Sequence, residues 1–228
     1  MTTPTDRQAW LQERRAAVEA QYDTEAAEYD QYPYDTTMHR EFVQQLLETC
    51  PSGGIVLDAP CGTGPYFELV KASGREVVGV DGSTGMLGQA RGRGLAIRLE
   101  HVALQDLAFE AEFDGSMTID AMENIPPEEW PLVLANLHRA VRPGAHVYLT
   151  VEEIDQSEID AAFSDSHAKG LPAIHGEVIE GDSAGYHYYP SREQVLAWIA
   201  AEGLTVAREE LGRVQDWDYR HLLLRSRG

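Results

Sequence analysis

Ile55-Val56-Leu57-Asp58-Ala59-Pro60-Cys61-Gly62-Thr63-Gly64 is the stretch from which the fold is read. Three apolar residues, an acid and then a glycine-rich loop describe a buried strand that breaks into a tight turn. Helical spacing follows over 65–73, and Pro65 suits the first helical position, where a missing N–H costs nothing. The unit is therefore strand, glycine loop, helix. Helix-start N–H groups and the bare backbone of Gly62 and Gly64 allow a ligand to approach closely. A second strand, 76–80, runs into Asp81. An acid at the end of the second strand, about 20 residues past the glycine loop, is the ribose-binding arrangement of doubly wound folds.

Two ligand classes use that arrangement, dinucleotides and adenosyl sulfonium cofactors. The glycines do not spell Gly-x-Gly-x-x-Gly, because Phe67 stands where the third would fall. Asp58 also argues against a dinucleotide, since a carboxylate repels a pyrophosphate, whereas it can hold the ammonium end of a sulfonium amino acid. The pattern resembles the class I S-adenosylmethionine-dependent methyltransferases, whose first motif is commonly Asp-x-Gly-x-Gly-x-Gly. Pro60 replaces the first glycine, and proline has no N–H to offer a ligand. Asp81-Gly82-Ser83-Thr84-Gly85-Met86-Leu87 resembles the family's segment after the second strand, and Leu137-His138-Arg139-Ala140-Val141-Arg142-Pro143-Gly144 its turn before the fifth. The resemblance covers residues 20 to 155 well and the remainder loosely. It implies S-adenosylmethionine as cofactor. The residues expected around it are Tyr22, Tyr29, Asp58, Ala59, Pro60, Gly62, Gly64, Asp81, Gly82, Met86, Leu104, Gln105 and Asp120.

The fold expected is α/β: a Rossmann-like, seven-stranded, mostly parallel sheet with helices on both faces. An N-terminal helical lid and an insertion after strand five are added to it. Residues 1–36 are assigned to the lid and 37–228 to the methyltransferase domain, with 154–190 as the insertion over the substrate. A helix is predicted over 5–20, opened by the capping box Thr5-Asp6-Arg7-Gln8. The tyrosine-rich stretch 21–32 either closes over the cofactor or is an aromatic helix end packed on the domain. Further strands are expected at 96–102, 113–120 and 145–151. The last two, 204–210 and 219–225, form an antiparallel pair at the sheet edge. Two short strand-like pieces, 177–179 and 186–189, fall inside the insertion.

A length of 228 residues suits one domain with a small insertion. Eighteen basic against 38 acidic residues give a net charge of −20, which repels nucleic acid backbones and anionic membranes. Two cysteines make no disulfide framework and carry no metal spacing. The sequence shows neither a signal peptide nor an apolar run of about 18 residues, and a cytoplasmic location is the expectation.

Methyl transfer from a sulfonium requires an aligned acceptor with a free lone pair and no water. Glu123 and His187 are the candidate catalytic groups; Met122, Asn124, Glu152 and Tyr188 are candidate substrate contacts. Each also has a structural reading: Glu123 as a helix cap, Glu152 as a solvated strand end, His187 on the outer face of a strand. No metal is expected. Amine, phenol, alcohol and activated-carbon acceptors all remain open. A small-molecule methyltransferase is the leading reading; a non-catalytic protein that binds the same cofactor and an NAD-dependent oxidoreductase are the alternatives.

Overall fold

Val56, Leu57, Val77, Val78 and Val80 are all buried, because the two strands they form lie inside a parallel sheet covered on both faces. The computed structural model describes residues 4–31, 36–180, 185–214 and 217–227. The chain opens with helix α1 (Pro4–Glu25), a short turn of 3-10 helix (Tyr29–Gln31) and α2 (Thr37–Thr49). Alternation then sets in: β1 (Ile55–Asp58), α3 (Phe67–Ala72), β2 (Glu76–Asp81), α4 (Thr84–Arg93), β3 (Arg98–His101), β4 (Phe113–Thr118), α5 (Trp130–Ala140) and β5 (Val141–Glu153). After it come α6 (Gln156–Ala168), β6 (Glu177–Glu180), β7 (Gly185–Tyr188), α7 (Arg192–Ala201), β8 (Leu204–Val214) and β9 (Trp217–Ser226).

Seven strands form one sheet in the order β3-β2-β1-β4-β5-β9-β8. The pairs from β3 through β5 are parallel, β9 enters antiparallel beside β5, and β8 closes the edge. The expected sheet and its antiparallel end are therefore present. β6 and β7 make a separate two-stranded hairpin within the insertion. Strand order reverses at β1, with β2 on one side and β4 on the other, so the ligand crevice belongs above the carboxyl ends of these strands. Among the described residues no helix is long and apolar enough to cross a membrane.

The helices cover the sheet with regular stripes. On α2, His39, Phe42, Val43, Leu46 and Leu47 are buried, a spacing of three and four that makes one face. Phe42 stacks on Tyr148 of β5 and His221 of β9, with ring centroids 5.4 and 4.9 Å apart. Trp130, Val133, Leu134 and Leu137 of α5 fill the opposite layer.

Four elements differ clearly from the sequence reading: β5 covers Val141–Glu153 rather than 145–151, β8 covers Leu204–Val214 rather than 204–210, and α1 and α3 depart as well. α1 runs on to Glu25 rather than stopping near residue 20, since no glycine or proline interrupts it. α3 begins at Phe67 rather than Pro65. Gly62 and Gly64 both hold left-handed backbone, φ +51° and +78°, so the loop turns twice before the helix starts. Tyr32 of the tyrosine-rich stretch lies outside the described residues.

Candidate active site

A cavity of about 1080 Å³, counting its open mouth, lies at the carboxyl ends of β1, β2 and β4. At one end stands Asp81. The Gly62 N–H donates to its Oδ2 at 2.7 Å and the Ser83 N–H to its Oδ1 at 2.8 Å. The glycine loop and the start of α4 thus fix the orientation of this carboxylate, and lone pairs remain on both oxygens. Burial pushes its pKa up, and the two N–H groups act against that shift. Ser83 caps α4 by accepting from the Met86 N–H at 3.0 Å.

Asp58 is 1 % exposed and lines the same cavity, and its Oδ2 has no hydrogen-bond partner. Burial first, then the nearby charge of Asp81, raises its pKa well above the usual carboxylate range. A buried oxygen without a partner costs stability unless a ligand supplies a donor. A Cβ placed on Gly62 would meet nothing within 4 Å, so the backbone there is open to a ligand. Gly64 differs: a Cβ there would fall 2.6 Å from the Phe67 ring. Its bare backbone serves packing of the loop onto α3, not ligand approach. Gly64 and the fully buried Ala59 do not reach the cavity wall.

The adenine-type turn, Ala103-Leu104-Gln105, forms another wall. Asn136 on α5 holds it by donating to the Leu104 and Gln105 carbonyls at 3.0 and 2.9 Å. The Gln105 side chain is engaged with Glu129 at 2.6 Å. Met86, Pro60, Gly82 and Ile125 also line the cavity.

α1 roofs the cavity with Arg15, Val18, Glu19 and Tyr22, and Tyr29 joins them, its ring edge-on to Tyr22 at 6.2 Å. The roof is tied down along its length. The Arg7 guanidinium donates to Glu177 at 2.7 and 3.1 Å, to Glu128 at 2.6 and 3.1 Å, and to the Pro172 carbonyl. Burial would lower the Arg7 pKa; the bonds and charges of Glu177 and Glu128 outweigh it and hold it above its ordinary value. Arg15 pairs with Asp106 at 3.0 Å. Asp23 accepts from Ser83 Oγ at 2.6 Å and the Gly85 N–H at 2.8 Å. Asp30 accepts from Thr63 Oγ1 at 2.7 Å and pairs with Arg93 at 2.6 Å.

At the far end from Asp81, Asp120 sits in left-handed backbone, φ +53°. Its N–H donates to Thr150 Oγ1 at 2.7 Å, and Tyr219 Oη donates to its Oδ1 at 2.5 Å. Antiparallel register places Tyr219 opposite Glu152. Asp120, Glu123 and Glu152 each bring a carboxylate oxygen within 4.8 Å of the others. Glu123 is 6 % exposed; its Oε1 accepts from the Asn124 amide at 3.1 Å and its Oε2 has no partner. Burial, then Asp120 and Glu152, push its pKa well above the usual range.

Of the residues expected from sequence, Tyr22, Tyr29, Asp58, Pro60, Gly62, Asp81, Gly82, Met86, Leu104, Gln105, Asp120 and Asn124 line the cavity. Glu123 and Glu152 lie just behind Asp120, buried. Met122 is wholly in the core, and Tyr188 packs toward Gly176 and Trp198. Neither reaches the wall. Strand alternation on β7 buries Tyr186 and Tyr188 and turns half-buried His187 the other way, 3.2 Å from Tyr189 Oη. Tyr219, Asn136, Arg7 and Asp23 escaped sequence reasoning, because their partners lie 31 to 170 positions away.

A family model described as a methyltransferase domain matches residues 56–144. The chain is 29 % identical over 192 residues to a demethylmenaquinone methyltransferase of Thermus thermophilus, covering 78 % of this chain and 85 % of that protein. It is 31 % identical over 153 residues to a malonyl-[acyl-carrier protein] O-methyltransferase of Erwinia pyrifoliae, covering 65 % of this chain and 56 % of that protein. In fold it is similar to the Burkholderia thailandensis 1,6-didemethyltoxoflavin-N1-methyltransferase, solved with 1,6-didemethyltoxoflavin and S-adenosylhomocysteine. There the TM-score is 0.70 at 18 % identity, over 100 % of this chain and 92 % of that one.

Proposed function

We propose, from the premise that this chain belongs to the class I S-adenosylmethionine-dependent methyltransferases, that it methylates a small molecule enclosed beneath α1. It is an enzyme, and its cofactor is S-adenosylmethionine. The cavity fits that cofactor: an oriented carboxylate at Asp81 suits a ribose diol, apolar Met86 and Leu104 suit a purine, and the partnerless Asp58 oxygen suits an ammonium. When bound, the cofactor supplies a methyl group on a cationic sulfur that departs as a neutral thioether. No acid is needed for that departure. The protein's task is alignment, dryness and care of the acceptor's proton.

In this reading Asp81, Gly62 and Gly82 hold the ribose end, and Leu104, Gln105 and Met86 the adenine. Asp58, Pro60 and Asp120 hold the amino-acid end. Ala59 and Gly64 support the loop from behind. Tyr22 and Tyr29 belong to a lid made by residues 1–36, closing on a domain of residues 37–228 whose insertion, 154–190, anchors the lid through Glu177. Asn124 faces the acceptor, Glu152 acts on it from behind Asp120, Met122 and Tyr188 shape its pocket from the core side, and Glu123 and His187 handle its proton. The relative named for demethylmenaquinone and the neighbour solved with 1,6-didemethyltoxoflavin support a small-molecule acceptor. The charge of −20 speaks against nucleic acid and anionic membrane partners and suits a soluble cytoplasmic protein.

The observation that carries the reading is the Asp81 carboxylate, fixed by two backbone N–H groups at the head of a roofed cavity. Calorimetry tests it: S-adenosylhomocysteine should bind the wild type and bind Asp81→Ala more than tenfold more weakly, while NAD binds neither. Equal affinity in the two proteins would overturn the assignment.

A further inference from the structure

The far end of the cavity holds more carboxyl groups than the cofactor accounts for. Asp120 lines the cavity, and Glu123 and Glu152 stand directly behind it with carboxylate oxygens no more than 4.8 Å apart. Glu123 is more than nine-tenths buried and still leaves Oε2 without a hydrogen-bond partner. The groups packed on Asp120 and Glu123 are phenols and an amide: Tyr219 donates to Asp120, Asn124 to Glu123, and Tyr22 is hydrogen-bonded to Asn124. His187 is the titratable base facing Asp120. Among the described residues no arginine or lysine forms an ion pair with Asp120 or Glu123. Arg7, by contrast, neutralises the carboxylate of Glu177, which is 0 % exposed.

We infer that the acceptor presents a basic nitrogen, that Asp120 receives it as its cation at the cavity wall with Glu123 and Glu152 directly behind, and that Glu123 takes its proton. This rests on the reading of the cavity as the site of methyl transfer. The spacing suits an ammonium: N–H donors at about 2.8 Å from nitrogen in tetrahedral directions place their acceptors about 4.6 Å apart. The bare Oε2 supplies the acceptor that an N–H would find, and burial makes the match matter, because an isolated charge there is costly. An ammonium has no lone pair, so it must lose a proton before it reacts. The N–H bond breaks with its electron pair left on nitrogen, and the proton passes to the Glu123 carboxylate. That pair forms the new N–C bond as the C–S pair withdraws onto sulfur, leaving a methylated ammonium and a neutral thioether. A high proton affinity at Glu123, set by burial and its acidic neighbours, suits it to hold that proton. An acceptor that offers a carboxylate to the methyl group would instead set a fourth carboxyl group beside these three.

The test uses the full chain saturated with S-adenosylhomocysteine and matched probes on one scaffold: benzylamine, benzyl alcohol and benzoate, with the corresponding phenethyl and cyclohexylmethyl sets. Binding is read by ligand-observed NMR, and Mn²⁺ is titrated separately. The amines should bind preferentially, and Glu123→Gln and Glu152→Gln should each weaken them about tenfold, the loss expected for a charge-assisted hydrogen bond, with S-adenosylhomocysteine affinity unchanged. Three results would overturn the inference: benzoates or alcohols binding as well as amines, amine binding indifferent to both variants, or tight Mn²⁺ at the trio with no amine preference. Failure to bind S-adenosylhomocysteine would instead strike the cofactor reading, so the two failures are distinguishable.

Discussion

Asp81 serves ligand and loop with the same carboxylate. Its Oδ2 receives the Gly62 N–H and its Oδ1 the Ser83 N–H, so the group that reads a ribose also sets the glycine loop. Charge-assisted hydrogen bonds contribute roughly 1.5–3 kcal/mol each. Loss of two to a ribose should weaken binding more than tenfold in Asp81→Ala, and Asp81→Asn should fall between, since its amide keeps one acceptor and turns a donor toward an N–H. Gly64 carries a different lesson. From sequence it reads as a point of ligand approach, but its Cβ direction is filled by Phe67 at 2.6 Å, and its φ is +78°. Gly64→Val should therefore lower the melting temperature, by the equivalent of about 1–3 kcal/mol. Whatever protein stays folded should bind S-adenosylhomocysteine nearly normally. Normal melting with lost affinity would restore the ligand reading.

Between α1 and α4 the contact is close enough to be tested by one side chain. A Cβ on Gly85 would lie 2.8–2.9 Å from the Asp23 backbone and 3.0 Å from Ala26. Gly85→Val should push α1 off α4 and break the Asp23 bonds to Ser83 and Gly85. Limited proteolysis then gives the readout: cleavage near residues 22–31 should be slowed by S-adenosylhomocysteine in the wild type and be fast, with little protection, in the variant. If both proteins resist equally, α1 is a fixed part of the core and not a lid. At this scale the sequence is most informative where a pattern is local. Asp58 to Gly64, Asp81 and the stripe on α2 are each legible because strand, turn and helix rules act over a few residues. The anchors of α1 are not. Arg7 meets Glu177 across 170 positions and Tyr219 meets Asp120 across 99, distances over which no periodicity speaks. The insertion shows the limit in another way: its hairpin is legible, but which of Tyr186, His187 and Tyr188 turns inward depends on the face that packs on the core.

Across the whole molecule, acid and base act on stability in opposite senses. Asp58, Asp81 and Glu123 have pKa values raised by burial. Their folded forms favour the proton, so their contribution is full below the ordinary carboxylate value and is lost as pH rises through the folded one. His221 works the other way. It is fully buried where β9 meets α2 and β5, its Nδ1 is 2.8 Å from Tyr148 Oη, and Phe42 stacks on its ring. Burial lowers its pKa to about 4, against a smaller upward pull from Glu210. The unfolded imidazole titrates near 6.5. Between those values the unfolded chain binds a proton that the folded one refuses, so stability is complete above about pH 6.5 and is lost as pH falls toward 4. At pH 5 the loss attributable to this one ring is about 2 kcal/mol. His221→Phe keeps the aromatic stack and removes the titration, at the cost of leaving Tyr148 Oη without its ring partner. Its melting temperature should accordingly start lower at pH 7, but the further drop on going to pH 5 should be distinctly smaller than in the wild type. Comparing the two drops, rather than the two absolute values, separates the proton from the lost hydrogen bond. Equal drops would show that His221 takes no part in acid destabilisation.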